Sequence, residues 1–436
     1  MKLAALATEL ASATNFVALS GRVIAVAPSG LKISGLSPFV QIGDRIRFAG
    51  RSGPEFAEVI AFDNSSVLAK PFDTAISVGI NARATRCVSL TVAPHSCWKG
   101  RVFNALGQSI DGKSPPAEGP SPCRPDQAPP PALSRRRVAE PLTTGVAAID
   151  LFTPLCAGQR IGIFAGSGVG KTTLLSLMSQ SEQFDCIVVA LVGERGREVR
   201  EQIEDTAEGN RAKTITVVST SDESPMMRRL APRTAVSIAE HFCNRGERVL
   251  LVVDSVTRYA HALREIALSA GEPPVARGYP PSVFTDLPRL LERAGPGATE
   301  AGSITGVFSV LVDGDDHNDP VADCIRGTLD GHIVLNRSIA EAGRYPAIDL
   351  LASLSRLSQH CWTPEQRDLV QRLRLLISRY EDTRDLRTLN AYRAGSDHEL
   401  DKAVAIVPQL YKLISQHPGD QQAADIYKTA SSLLSQ

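Results

Sequence analysis

The sequence predicts an α/β protein whose core is a parallel sheet covered by helices, with a small β-barrel before it and helices after it. Three observations predict this arrangement. Short β-branched runs fill residues 16–92, apolar strands alternate with helical patterns over residues 93–360, and helical patterns alone occupy residues 361–436. A chain of 436 residues is long enough for these three domains.

The N-terminal residues 1–15 form a segment of their own. Leu3, Leu6 and Leu10 recur there at helical spacing, which predicts a short helix that docks a partner, although a frayed terminus is equally compatible with these residues. The barrel prediction rests on runs such as VIAV and IRF, which alternate with turn clusters such as PSG and DNSS.

The predicted core has one interruption. The Pro-rich stretch 111–137 cannot hold regular structure, because proline removes a backbone donor and fixes φ, so we expect a loop that lies over the surface or is partly mobile. After it, the apolar runs RIGIFA, IVVALVG and RVLLVVD predict parallel strands buried on both faces. In the C-terminal part, Leu369, Leu373 and Ile377 share one face of a predicted helix.

Composition excludes several classes of protein. The 47 Lys and Arg residues balance 47 Asp and Glu residues, which argues against wholesale binding to nucleic acid or to an anionic membrane. The eight cysteines are scattered and form no C-x-x-C pair, so we expect reduced core residues rather than a zinc site or a disulfide framework. Neither a secretory signal nor a membrane-spanning run is indicated, and a cytoplasmic location follows as an expectation.

A glycine-rich loop is the first candidate site. The sequence AGSGVGKT follows the strand RIGIFA and precedes a helix, so its backbone N–H groups can point at a phosphate. We expect Lys171 to reach the β- and γ-phosphates of ATP and Thr172 to bind Mg²⁺, whereas a glycine-rich turn without a ligand is the alternative. Position 165 is alanine where the strict pattern has glycine. The residues expected to contact the nucleotide are Ala165, Gly166, Ser167, Gly168, Val169, Gly170, Lys171, Thr172 and Thr173.

Two acidic residues follow other predicted strands of the sheet. Asp254 ends the run VLLVV and is a candidate for the Mg²⁺ site, where it is expected to act through a bound water, although many such residues only cap a turn. Glu194 ends the run IVVALVG and is the best candidate to orient an attacking water, because the carboxyl ends of neighbouring parallel strands converge on a bound phosphate. A carboxylate that caps the next helix is the alternative for Glu194.

Five motifs together resemble one family. AGSGVGKT, VGERGRE, VLLVVDSVTRYAHALREI, GEPPVARGYPPSVF and RYPAIDLLASLSR are closely similar to the catalytic subunits of the rotary F-type/V-type ATPase family. The resemblance implies a β-barrel, a RecA-like P-loop core and a helical C-terminal domain, with ATP and Mg²⁺ as cofactors. It implies that Glu194 is catalytic, so the chain hydrolyses ATP. It further implies that Arg195 and Arg258 contact the phosphates or couple the site to a neighbour, and that adenine stacks on Tyr345.

The same resemblance gives Arg356 a role between subunits. Arg356 matches the arginine finger that one subunit offers to the next, where a guanidinium stabilises charge on the transferring phosphoryl group. Because one chain carries the P-loop, Glu194 and Arg356 together, a homohexameric ring is expected. On the residues alone, Arg356 is equally compatible with a surface cation near a helix end.

The C-terminal part indicates the branch of the family. The pattern A-Y-x-x-G-S-D-x-x-L-D-K-A at residues 391–403 resembles the flagellar and type III secretion export ATPases, and the acidic run of rotary synthase subunits is missing. We therefore expect an ATPase that energises flagellar protein export, with an injectisome ATPase as the alternative. An ion-coupled rotary subunit and an RNA-translocating hexamer are further alternatives, and the second is disfavoured because the barrel offers neither Tyr, Trp nor a basic cluster.

This branch implies a set of partners. They are further copies of the chain, a regulatory stator-like protein, a stalk-like protein, the membrane export gate, export substrates and chaperones, with no nucleic acid and only peripheral contact with the inner face of the membrane. Leu350 and Leu351 stand where a more polar pair is expected. The acidic loop 313–319 lacks the spacing of a calcium-binding EF-hand and is expected to be a strand-end loop near the active site.

Overall fold

A computed structural model describes the chain over residues 18–50, 53–204, 208–298, 301–312, 319–389, 391–395, 397–417, 419–420 and 425–434. The predicted docking helix 1–15 and residues 313–318 of the acidic loop lie outside these ranges. The chain divides into two compact units, which are described separately. The first contains described residues up to Thr91 together with Glu223–Met227 and Ala262–Pro280, and the second contains the remainder.

The first unit contains a closed antiparallel barrel of six strands. Its strands are β1 (Ser20–Ala27), β2 (Gly30–Ser34), β3 (Arg45–Gly50), β4 (Gly53–Phe62), β5 (Ser66–Pro71) and β6 (Arg83–Cys87). They pair in the order β1-β2-β5-β4-β3-β6, and β6 closes on β1. Alternation along the strands fills the interior, since Leu31 and Ile33 of β2 and Ile46 and Phe48 of β3 point inward and are buried. The predicted β-barrel is confirmed.

The second unit is built on a nine-stranded sheet. The strands of this unit are β7 (Val102–Asn104), β8 (Pro141–Leu142), β9 (Leu155–Cys156), β10 (Arg160–Ala165), β11 (Cys186–Glu194), β12 (Thr214–Thr220), β13 (Arg248–Asp254), β14 (Gly295–Pro296), β15 (Ser303–Leu311), β16 (Gly331–Leu335) and β17 (Leu354–Ser355). The sheet runs in the order β17-β16-β10-β15-β13-β11-β12-β7, with β14 added on β15, while β8 and β9 pair separately. All its pairs are parallel except β16 with β17 and β14 with β15, which confirms the predicted α/β class.

Helices connect these strands and then continue alone to the C-terminal part. They are α1 (Ala147–Phe152), α2 (Lys171–Ser179), α3 (Gly196–Glu204), α4 (Glu208–Arg211), α5 (Pro225–Asn244), α6 (Val256–Ser269), α7 (Pro281–Leu291), α8 (Pro320–Thr328), α9 (Arg337–Glu341), α10 (Ser358–Cys361), α11 (Pro364–Asp382), α12 (Arg384–Thr388), α13 (His398–Ile414) and α14 (Ile426–Leu434). Short 3-10 helices lie at Ser37–Phe39, Ser96–Trp98 and Ala132–Ser134. None of the helices in the described ranges combines the length and the apolarity that crossing a membrane requires.

The C-terminal helices share a hydrophobic core with the nine-stranded sheet. Leu373 and Ile377 of α11 and Leu410 of α13 are buried in the same cluster as Ile163 of β10 and Leu174 of α2. A capping box at Thr363 starts α11, because the Thr363 hydroxyl accepts from the N–H of Gln366 while the Gln366 side chain accepts from the N–H of Thr363. The predicted apolar face of this helix is therefore a packing surface.

The Pro-rich stretch 111–137 is irregular apart from the 3-10 helix Ala132–Ser134, and several arginines tie it to other parts of the second unit. The Arg101 guanidinium lies 2.5 Å from Asp111 at its start. Arg293 donates to the carbonyl oxygen of Pro125, and Arg135 donates to the carbonyl oxygen of Ala294. The expectation of a partly mobile loop did not include these contacts, two of which join the stretch to residues about 160 positions further along the chain.

The cysteines are all reduced, but they are not all core residues. Cys156, Cys186 and Cys243 are buried, whereas Cys97 is exposed. Cys156 and Cys361 bring their Sγ atoms within 3.1 Å of each other without a disulfide bond. The expectation of scattered core cysteines therefore applies to only part of the set.

Candidate functional site

The glycine-rich loop joins the end of β10 to the start of α2. Gly168 and Gly170 have φ values of +79° and +91°, in the left-handed region that favours glycine. Gly170 is the N-cap of α2 and offers no side chain to cap it, so the first N–H groups of the helix are open to an anion. The loop AGSGVGKT therefore has the backbone conformation that its sequence predicts, with free N–H groups that could bind a phosphate.

Lys171 and Asp254 meet at this edge of the sheet. Lys171 is the first residue of α2, and Asp254 ends β13, which is separated from β10 by β15 alone. The Lys171 Nζ atom lies 2.5 Å from Asp254 Oδ1, and the Asp254 side chain is only 3 % exposed. A buried carboxylate needs a partner of this kind, because an unpaired buried charge is strongly destabilising. The Thr172 side chain next to it is exposed.

Glu194 is the third charged group of the site. It ends β11, the neighbour of β13, and its side chain is 12 % exposed. Burial and the negative charge of Asp254 raise the pKa of Glu194 to about 7, against the opposing effect of Lys171 and Arg258. Its Oε1 atom is buried without a hydrogen-bond partner within the described part of the chain. A carboxylate that titrates near neutrality is well matched to accept a proton from water.

The two arginines implied by the resemblance differ in placement. Arg258, on α6, has its Nε atom 3.6 Å from Glu194 Oε1. A Cβ atom on Gly193, which has a φ of +68°, would lie 2.8 Å from Arg258 Cδ, so the glycine lets this arginine approach. Arg195 instead is 77 % exposed and pairs with Glu198 at 3.2 Å. The structure thus brings Arg258 to the site and leaves Arg195 at the surface.

Tyr345 lies beside the glycine-rich loop. A Cβ atom on Gly170 would be 3.5 Å from the Tyr345 ring, and the Tyr345 carbonyl oxygen accepts from the N–H of Gln416 at 2.8 Å. The ring of His417 lies 6.5 Å from that of Tyr345. An aromatic face next to the phosphate loop is where a base can stack. Sequence reasoning missed Gln416 and His417, which lie far along the chain from the loop.

Arg356 lies at the opposite edge of the sheet. It follows β17, and its N–H donates to the carbonyl oxygen of Asp330, whose own N–H donates to the carbonyl oxygen of Arg160. Arg160 begins β10, while the glycine-rich loop follows its end, so the length of this strand, about 17 Å, separates the two places. The exposed Arg356 side chain cannot act on the loop of its own chain.

A groove beside β17 is lined by exposed leucines together with polar residues that include Arg367 and Arg374. Leu351, Leu354 and Leu375 are 41 %, 47 % and 66 % exposed, and they line one groove together with Trp362. Leu350, predicted to be an unusual apolar residue at its position, is buried in the core at 2 % exposure. The departure from a polar pair therefore has a packing reason at Leu350 and creates exposed apolar surface at Leu351.

Comparisons with known proteins agree with this architecture. Residues 145–355 match the ATP synthase alpha/beta family, nucleotide-binding domain, and residues 362–433 match the T3SS EscN ATPase C-terminal domain. The chain is 52 % identical to a flagellum-specific ATP synthase of Agrobacterium fabrum, over 99 % of this chain and 92 % of that protein.

Two solved structures extend the comparison. The assembled ATPase EscN from the type III secretion system of enteropathogenic E. coli aligns with a TM-score of 0.88 at 38 % identity, over 95 % of this chain and 99 % of that one. EscN in complex with its central stalk EscO aligns with a TM-score of 0.86 at 37 % identity, over the same shares.

The pKa of Glu194 predicts a pH-dependent effect on stability. The pKa of Glu194 is about 7 in the native state, above its ordinary value of 4.5. Between pH 4.5 and pH 7, Glu194 is therefore protonated in the native state and ionised in the unfolded state. Stability conferred by the protonated form is present below pH 4.5 and lost as pH rises towards 7. We expect the free energy of unfolding of the Glu194→Gln variant without nucleotide to exceed that of the wild type by about 3 kcal/mol at pH 8, and by less than about 1 kcal/mol at pH 5.

Urea unfolding at several pH values measures this difference. The matched control is Glu201→Gln on α3, where a side chain 57 % exposed should make little difference at any pH. A gap between Glu194→Gln and wild type that stays constant from pH 5 to pH 8 would show that the native Glu194 carboxyl is not perturbed.

Proposed function

The chain belongs to the ATP synthase alpha/beta family, in the branch of flagellar and type III secretion ATPases, and we propose that it hydrolyses ATP to energise protein export through the flagellar apparatus. The observation that carries the proposal is the convergence of Lys171, Asp254 and Glu194 beside a loop shaped for phosphate. The flagellar relative shares more residues with this chain than the EscN structures do, which favours flagellar over injectisome service.

Residues 165–173 and Tyr345 hold the nucleotide in this proposal. Backbone N–H groups of the loop surround the phosphates, Lys171 turns from Asp254 to the β- and γ-phosphates, and Tyr345 stacks on adenine. The Thr172 hydroxyl and the Asp254 carboxylate are hard oxygen donors of the kind Mg²⁺ takes in nucleotide sites, so the residues present fit this ion. When bound, Mg²⁺ neutralises charge that develops on the phosphate oxygens.

Glu194 acts on water. Its carboxylate orients the attacking water in line with the terminal phosphate and accepts the proton that the water loses. Arg258, close to Glu194 Oε1, favours the ionised form of the carboxylate and limits the rise of its pKa. The pair keeps a base that is ionised in about half of the molecules near pH 7. Arg195, exposed in the single chain, is assigned to coupling with a neighbouring copy.

Arg356 completes the site of another copy. Because it lies a strand length from its own loop, the guanidinium reaches a phosphate only across an interface, where it stabilises transition-state charge, worth ~10³–10⁵ in rate in other nucleotide hydrolases. The apolar groove of Leu351, Leu354 and Leu375 offers the contact surface for that copy. Repetition of this contact from copy to copy closes a homohexameric ring.

The remaining assignments follow from the relatives. We assign residues 93–360 to hydrolysis and residues 361–436 to transmission of the resulting motion. EscN has been solved with its central stalk EscO, which supports a stalk-like partner for this chain. A stator-like regulator, the export gate, substrates and chaperones complete the partners, at the cytoplasmic face of the membrane. The C-terminal domain match argues against an ion-coupled rotary subunit.

Replacing the catalytic carboxylate tests hydrolysis directly. Glu194→Gln keeps the size and burial of the side chain but cannot accept a proton, so ATP affinity should stay within about threefold while turnover falls at least about 100-fold. Affinity is measured by equilibrium binding and turnover by phosphate release. Retained turnover would contradict the role of Glu194.

A genetic experiment tests the proposed role in flagellar protein export. A strain that lacks the chain should not swim, and wild type but not Glu194→Gln should restore swimming. Intact swimming together with lost secretion of injectisome substrates would transfer the function to the injectisome.

Mixing two inactive variants tests the finger. Lys171→Ala lacks the phosphate ligand and Arg356→Ala lacks the finger, so each alone should be inactive. In mixed oligomers some sites combine an intact loop with an intact finger, and ATPase activity should recover to roughly a quarter of wild type if copies mix randomly. Absence of recovery, with mixing shown by native mass spectrometry, would contradict an arginine supplied by the neighbour.

A further inference from the structure

Ser309 is a polar residue within an otherwise apolar part of the sheet. It lies on β15, between β10 and β13, and is fully buried. Ile163 of β10 pairs with Ser309, and Val253 of β13 pairs with Phe308, so the register places Ser309 beside Asp254. Its hydroxyl donates to Asp254 Oδ1 at 2.6 Å. A buried hydroxyl is costly without such an acceptor, which indicates that this position is fitted to the carboxylate.

The same carboxylate oxygen serves two donors. Asp254 Oδ1 accepts from Ser309 Oγ at 2.6 Å and lies 2.5 Å from Lys171 Nζ. The lysine is long and flexible and must leave Asp254 to reach a phosphate, whereas the serine is short and fixed to its strand. When nucleotide binds, Ser309 therefore remains as the donor that holds the orientation of the carboxylate.

A second contact, between Thr257 and Leu311, lies close to Ser309 and Asp254 in the chain. The Thr257 hydroxyl, at the start of α6, accepts from the N–H of Leu311 at 2.9 Å and lies 3.3 Å from the Leu311 carbonyl oxygen. This ties the segment that follows Asp254 to the end of β15. Ser309 and Asp254 consequently lie in one corner of the sheet that these hydrogen bonds tie together.

We propose that Ser309 is a positioning residue that holds the Asp254 carboxylate in the orientation that Mg²⁺ requires. The inference rests on the proposed metal role of Asp254 and adds a residue that no motif identifies. Ser309 does not touch the nucleotide, and its hydroxyl acts through Asp254 alone. Its effect is therefore expected on the Mg²⁺-dependent part of nucleotide affinity and not on the part that the loop provides.

Equilibrium binding of a fluorescent, non-hydrolysable ATP analogue to the full chain tests the proposal. Affinity is measured in excess Mg²⁺ and in excess EDTA, and the ratio gives the gain due to Mg²⁺. In Ser309→Ala this gain should fall about tenfold, as expected for a hydrogen bond to a charged group, while affinity in EDTA stays within about twofold. In Ser309→Cys, which keeps the size with a weaker donor, the loss should be intermediate.

Two further variants control the measurement. Ser303→Ala makes the same change on β15 at the opposite edge of the sheet, where the side chain is also buried, and should leave the gain unchanged. Asp254→Asn should abolish the gain. If Asp254→Asn abolishes the gain but both Ser309 variants keep it, the inference is overturned and the metal role of Asp254 stands.

Other outcomes also decide the matter. Equal losses with and without Mg²⁺ in the Ser309 variants would show a general structural effect and overturn the inference. Retention of the gain in Asp254→Asn would overturn the metal role and the inference with it. Should Ser309→Ala fail to fold, the intermediate loss expected in Ser309→Cys decides on its own.

Discussion

The contact between Lys171 and Asp254 is the interaction on which the site depends. The sheet places the carboxyl ends of β10, β13 and β11 at one edge. The glycine-rich loop follows β10, while β13 ends at Asp254 and β11 ends at Glu194. Without a phosphate, the lysine neutralises a carboxylate that the core has almost entirely removed from water. A buried ion pair of this kind stabilises the fold little more than an apolar pair would, so its presence indicates a functional role. In the proposed mechanism, the Lys171 side chain exchanges Asp254 for a ligand that carries more negative charge.

The same charges set the properties of Glu194. The carboxyl lies in the negative field of Asp254, and Lys171 and Arg258 offset that field only in part. In the proposed mechanism, transfer of Lys171 to a phosphate would change this balance and would couple the protonation of Glu194 to nucleotide binding. Gly193 contributes a steric element, since a side chain there would displace the Arg258 chain that lies against it. In the proposed mechanism, nucleotide binding and hydrolysis therefore use the same charged side chains. A few cations at this site are sufficient for both, although the chain as a whole has no net charge.

In the proposed mechanism, topology also divides the site between copies of the chain. Parallel strands direct the phosphate loop to one edge, whereas β17 and its arginine belong to the other. A contact that joins these two edges is head-to-tail, because each copy presents different surfaces to its two neighbours. Such contacts close into rings when the rotation between copies allows it. The exposed leucines beside Arg356 are consistent with this geometry, because an apolar groove next to a functional cation is the surface that a neighbour would cover.

The sequence was most informative where chemistry depends on local pattern. The loop at residues 165–172, Asp254 and Glu194 were predictable because each follows an apolar strand, and parallel strands have a common functional edge. Contacts between distant segments were not predictable in this way. Arg258 and Arg195 looked alike, yet only a helix packed against Gly193 brings one of them to Glu194. The Asp254 contact of Ser309 depends on the register of β15 against β13, which no spacing in the chain reveals.

We infer that one chain is an incomplete enzyme, so the rate of ATP hydrolysis should depend on assembly. Specific ATPase activity should be measured across a wide range of protein concentration, with the oligomer fraction determined in the same samples by analytical ultracentrifugation. Activity per chain should rise in proportion to the oligomer fraction in the wild type and stay low throughout in Arg356→Ala. Full turnover by wild-type monomers would contradict it.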